Sequence, residues 1–140
     1  MSARSLTDLA IAETIALHEF FNDWLGKVDG GGCDFGECAG ALAADFRMIG
    51  PDGEIMAEPD ISNWLLNERG TRADGFHITV REPRGVWQDG DAAIIEYIEE
   101  QVRHGVTTRR LSSALFTRNP EAPRGVVWRH LQETWLQAPA

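Results

Sequence analysis

The second half of the chain constrains the fold most. From Phe76 onward four long runs of strand character follow one another: FHITVREPRGVW, AAIIEYIEEQV, VTTRRLSSALFTR and GVVWRHLQETWL. They are rich in β-branched and aromatic residues, and the joints between them are short: QDGD, HG and NPEAPR. Such joints make hairpins, so the runs pair in order as an antiparallel meander. Pro83 has no N–H to give a ladder, which predicts a bulge or an edge position in the first run. A sheet of this length needs cover on at least one face, and the first half must supply it.

That half reads as helical. Over residues 5–26, Leu6, Leu9, Ala10, Leu17, Phe20, Phe21 and Trp24 recur at helical spacing, with Asp8, Glu19, Asp23 and Lys27 opposite. Ser5 with Asp8 resembles a cap, and Gly26 suits the end. VDGGGCDFGECAG is a loop, ECAGALAA a short second helix, and DFRMIG a strand turning at PDG into a return strand EIMA. EPDISNWLLNERG is a third helix with Pro59 in its first turn and Gly70 to close it. Helices first and a meander afterwards give an α+β fold, with helices over one face of a curved sheet.

At 140 residues the chain is one domain with one core. A net charge of −9 disfavours nucleic acid and anionic membranes as partners, since both need a positive footprint. No window is apolar enough to span a membrane and the N-terminus lacks signal-peptide character, so a cytoplasmic location is expected. Lys27 is the only lysine beside twelve arginines, and it lies in neither a Schiff-base nor a phosphate-loop context. Cys33 and Cys38 are expected to be unpaired thiols. HEFFN carries Asn22 where a zinc-protease helix needs its second histidine, so no metal and no cofactor is expected.

ALAADFRMIGPDGEIM, VWQDGDAAIIEY, RRLSSALFTR and VVWRHLQETWL are together similar to the nuclear-transport-factor-2-like superfamily, in particular its SnoaL-like bacterial branch. The likeness covers about residues 5–136; Gln132 stands where many relatives carry the second histidine of the closing strand. The resemblance implies a cone: a bent antiparallel sheet wrapped over three N-terminal helices, with a pocket between them and a homodimer through the outer sheet face. Read with a period of two, the closing strand puts Trp128, His130, Gln132 and Thr134 on one face, and this polar, ring-bearing face is expected to line the pocket.

Several residues are candidates for chemistry. Relatives resembling ketosteroid isomerase use an aspartate near Asp45 as a general base, usually with a first-helix tyrosine. ALHEFFNDW has no tyrosine, and Tyr97 is the only one in the chain; Asp45 is otherwise a turn or capping residue. Glu13 interrupts an apolar stripe, so it pairs, with Arg110 and His130 as partners, or it reaches solvent at the edge of the core. Arg110, which shares a face with Ser112, either clamps an acidic ligand or bridges to a neighbouring strand's Glu96 or Glu100. Glu96, Glu99 and Glu100 are expected to be exposed or paired across strands with Arg103, Arg109 and Arg110. Trp24 and Tyr97 join Trp128 and Gln132 as expected ligand contacts. The functions compatible with this are a dimeric small-molecule-binding domain, an isomerase, cyclase or dehydratase acting on a hydrophobic carbonyl compound, or an oligomerisation module.

Overall fold

In the computed structural model of the chain, which describes residues 4–140, Ser5 starts the first helix, its hydroxyl accepting from the Asp8 N–H at 3.0 Å. Helix α1 (Leu6–Gly26) is followed by a 3₁₀ turn (Gly30–Gly32), α2 (Phe35–Ala39), β1 (Leu42–Ile49), β2 (Ile55–Ala57) and α3 (Glu58–Asn67). The meander then runs through β3 (Phe76–Asp89), β4 (Ala92–Arg103), β5 (Val106–Arg118) and β6 (Val126–Gln137). The strands form one sheet in the order β2-β1-β6-β5-β4-β3. Every pairing is antiparallel except β1 with β6, which run parallel.

The turns behave as their residues dictate. His104 and Gly105 both take positive φ (52° and 76°), the conformation that a two-residue hairpin needs. Glu82 has φ 52° and the β3–β4 register shifts between Arg81 and Arg84, so a bulge sits at Pro83 on what is also an edge strand. One boundary departs from the sequence reading. ALAA is not helical: Leu42 already pairs with Trp128, so β1 starts before Asp45 and α2 ends at Ala39. Sheet pairing overrides the helix preference of alanine.

The concave face of the sheet wraps α1, which comes closest at β3. A Cβ added to Gly85 would lie 2.4 Å from Thr7 Cγ2, so only glycine permits that approach. Leu6, Ala10, Ala93, Ile95, Phe116 and Val126 are fully buried and close-packed there. Helix α3 is fastened to α1 by Trp24, whose indole Nε1 donates to the Leu65 carbonyl at 2.8 Å.

A bulge in β6 matters most for function. Phe116 pairs with Trp128 and Leu115 with His130, so Arg129 is an extra residue. Before it Trp128 points inward; after it Leu131, Glu133 and Trp135 take the inner face, while His130, Gln132 and Thr134 turn outward.

Candidate functional site

Between α1, α3 and the concave sheet lies a cavity of about 340 Å³. Its walls are mainly apolar, with Leu17 and Phe21 from α1, Met48 and Met56 from the first hairpin, and Leu65 and Phe76 closing it. Glu54, Trp64 and Arg72 form a more exposed rim.

One wall is ionisable. His18 follows Thr14 by one helical turn, and its Nδ1 lies 2.7 Å from the Thr14 carbonyl, so Nδ1 carries a hydrogen. Its Nε2 lies 2.9 Å from Glu99 Oε1 on β4. Burial opposes charge on this imidazole, but the Glu99 carboxylate and the Thr14 carbonyl outweigh it and the His18 pKa is raised. For Glu99, burial is likewise outweighed, by His18 and then Arg110 and Gln101, and its pKa is lowered. The pair is therefore imidazolium and carboxylate.

Arg110 on β5 bridges the two acids. Its Nη1 lies 3.1 Å from Glu133 Oε1, and its Nε lies 3.2 Å from Glu99 Oε2. The latter contact is an ion pair only, because the N–H is not aimed at the carboxylate. Above the guanidinium lies the Trp135 ring, its centroid 4.7 Å away, and Trp135 Nε1 donates to Asp52 of the PDG turn at 2.8 Å. Glu133 also accepts from Ser112 Oγ at 3.3 Å. Burial, reinforced by the charge of Glu99, pushes the Glu133 carboxyl up to about 7 against the pull of Arg110. Among the described residues, three buried side-chain polar atoms find no hydrogen-bond partner: Arg72 Nε, Tyr97 Oη and Arg110 Nε. All three belong to residues that line this cavity.

The residues expected from sequence divide sharply. Trp128, Tyr97 and Arg110 line the cavity, and Ser112 lies behind Glu133. Arg110 bridges to Glu99 and Glu133, not to Glu96 or Glu100, which pair with Arg84 and with Arg81 and Arg109. His130 and Gln132 do not line the cavity, because the Arg129 bulge turns them outward. Trp24 stacks on Phe20 at 5.4 Å and serves the α1–α3 joint, outside the lining. Asp45 is exposed and paired with Arg129 at 2.7 Å on the outside of the sheet. Glu13 is fully buried, but its partners are Trp128 Nε1 at 3.0 Å and Arg124 at 3.2 Å, not Arg110 and His130. Asp45, Glu13 and His130 thus form no constellation. Cys33 and Cys38 are free, and Cys38 is buried against the cavity, where burial pushes its thiol up to about 12.

His18, Glu54, Arg72, Glu99, Gln101 and Glu133 are polar lining groups that sequence reasoning missed. For Glu99 a signal exists: it stands two residues after Tyr97 and must share its face. Among the described residues no group of three or more His, Cys, Asp or Glu could hold a metal ion, and no helix is long and apolar enough to cross a membrane.

No protein-family model and no curated protein matches the chain. Solved structures do. A nuclear-transport-factor-2-like protein of unknown function from Pseudomonas aeruginosa is 27% identical, with a TM-score of 0.78 over 91% of this chain and 98% of that one. The CaMKII hub of S. rosetta matches with a TM-score of 0.68 at 15% identity, over 96% of this chain and 98% of that one. A candidate ketosteroid isomerase from Shewanella frigidimarina gives 0.58 at 15% identity, over 89% and 94%. The helix-wrapping sheet with its cavity and these matches agree: the chain belongs to the nuclear-transport-factor-2-like superfamily.

Proposed function

We propose that this chain, of the SnoaL-like branch, is a small-molecule-binding domain that takes a partly apolar ligand into the cone and acts as a homodimer. One observation carries the reading: an apolar cavity of about 340 Å³ with a single ionisable wall, the make-up of a ligand site. Dimerisation draws on the outer sheet face, where Trp87, Ile94 and Leu115 make one cross-strand row and Ile98 and Leu111 the beginning of another. The S. rosetta CaMKII hub shares this fold, which keeps self-association in view. Thermal-shift measurements against small carboxylates, ketones and polycyclic compounds test the ligand reading, with Met56→Trp filling the cavity. A ligand at about a hundred times its dissociation constant adds about 2.7 kcal/mol of stability to the wild type. If nothing shifts the wild type, or if the filled variant responds equally, the cavity is not the site.

A second reading draws on Glu133. A carboxyl titrating near 7 inside the cavity is suited to general acid–base work on a bound carbonyl compound, as an isomerase or dehydratase needs. Exchange of α-hydrogens of a bound ketone with deuterated water, lost in Glu133→Gln, is the expected sign of such activity.

A further inference from the structure

The buried polar atoms left without partners share a chemistry. Tyr97 Oη and the Nε atoms of Arg72 and Arg110 are all donors, and all three residues line one cavity. Tyr97 is 1% exposed, so its hydroxyl has no access to bulk water. Tyr97 stands opposite Ser112, and Arg110 is two residues from Ser112 on the same inner face, so the two donors are diagonal neighbours roughly 7–8 Å apart at their backbones. Arg72 reaches the same space from the loop before β3, near enough to feel the charge of Arg110. Two arginine N–H groups and a phenol hydroxyl left unpartnered in one cavity call for a ligand group rich in acceptors.

Charge narrows the choice. The groups facing Glu133 are His18 from α1, Glu54 from the first hairpin, Glu99 from β4, Arg110 from β5 and Arg72 from the α3–β3 loop. With Glu133 ionised, three cations (His18, Arg72, Arg110) face three carboxylates (Glu54, Glu99, Glu133), and the set is neutral. A phosphate dianion would overload so apolar a space. Even a single negative charge is accommodated only if one carboxylate takes a proton. Glu99 is held ionised by His18, Arg110 and Gln101, and Glu54 is exposed. Glu133 is left, with its carboxyl already near 7.

We propose that the cavity takes a ligand with a carboxylate head, its oxygens set on the Tyr97 hydroxyl and the Arg110 and Arg72 N–H groups, and that Glu133 takes up a proton as the anion enters. This rests on reading the cavity as a ligand site. The proton joins the Glu133 carboxylate from solvent, and no other bond forms or breaks.

Calorimetry with 4-phenylbutanoate, its primary amide and its alcohol tests the proposal at pH 6.5 and 8.5, in buffers of different ionisation enthalpy. The acid is expected to bind tightest and to take up close to one proton at pH 8.5. Its affinity falls by up to about tenfold per pH unit above 7, because the proton must be supplied from an increasingly alkaline solvent. Glu133→Gln abolishes the pH dependence while still binding the acid. Tyr97→Phe, which removes one oxygen, weakens the acid about three- to tenfold. If amide or alcohol binds as well as the acid, or if the acid binds without proton uptake, the carboxylate proposal falls and the cavity remains a ligand site. If none of the three binds, both readings fall.

Discussion

Trp128 Nε1 donates to Glu13 Oε2 at 3.0 Å, joining the middle of the first helix to the last strand across 115 residues. Arg124 completes the arrangement from the β5–β6 loop. Burial raises the pKa of this acid, which has no exposed surface, against the pull of both donors, Trp128 and Arg124. Glu13→Ala would strand the indole N–H and one face of Arg124, at a cost of about 2–3 kcal/mol. Glu13→Gln keeps an acceptor for Trp128, so about 1 kcal/mol is expected. Urea denaturation of the two variants distinguishes them, and equal losses would mean that volume, not the hydrogen bond, matters.

Glu133 makes stability depend on pH in a predictable sense. Its folded pKa is about 7, raised from 4.5, so the folded state holds a proton that the unfolded chain releases first. The associated stability is complete below pH 4.5 and is lost as pH rises to 7, on the order of 3 kcal/mol in all. Glu133→Gln cannot titrate. Its stability relative to wild type should therefore improve by that amount between pH 4.5 and 7.5, as urea midpoints would show. A constant difference would contradict the burial of this acid.

Arg110 separates two acids that are each nearly inaccessible. Removing it in Arg110→Ala leaves Glu133 with Ser112 alone and brings two carboxylates face to face. A loss of about 3 kcal/mol is expected at pH 8, with a smaller one at pH 5 where Glu133 is protonated. In Arg110→Ala with Glu133→Gln the losses should fall well short of additive, which a double-mutant cycle reads directly.

The outer face gives a separate test. Leu111 is 38% exposed and neighbours Ile98 across the β4–β5 ladder. Leu111→Arg should convert a dimer to a monomer in light scattering without altering the melting of the isolated fold. A dimer that persists would place the interface elsewhere.

The hairpins were legible because their turn residues are specific: HG demands two positive φ values, and Pro83 marks its own bulge on an edge strand. Alternation links Tyr97 to Glu99 on the inner face of β4, but the run of acids suggested a solvated surface and Glu99 was missed. What no pattern announced was the extra residue at Arg129. Nothing in VVWRHLQETWL is a glycine or a proline, and the bulge arises where β6 must pair with both β1 and β5, each of which shifts register there. Period-two counting therefore failed for His130 and Gln132 and missed Glu133. The same limit hid Glu13's partners, since Arg124 lies in a loop whose path depends on the packing around it.

That extra residue also leaves the closing strand one residue to spare. Deleting Arg129 would leave Trp128 opposite Phe116 and His130 opposite Leu115 as consecutive pairs of a regular ladder, so Leu131, Glu133 and Trp135 would keep the inner face. In a fold whose pocket is walled by long strands, such a bulge is a place where the chain can shorten by one residue while the pocket keeps its lining.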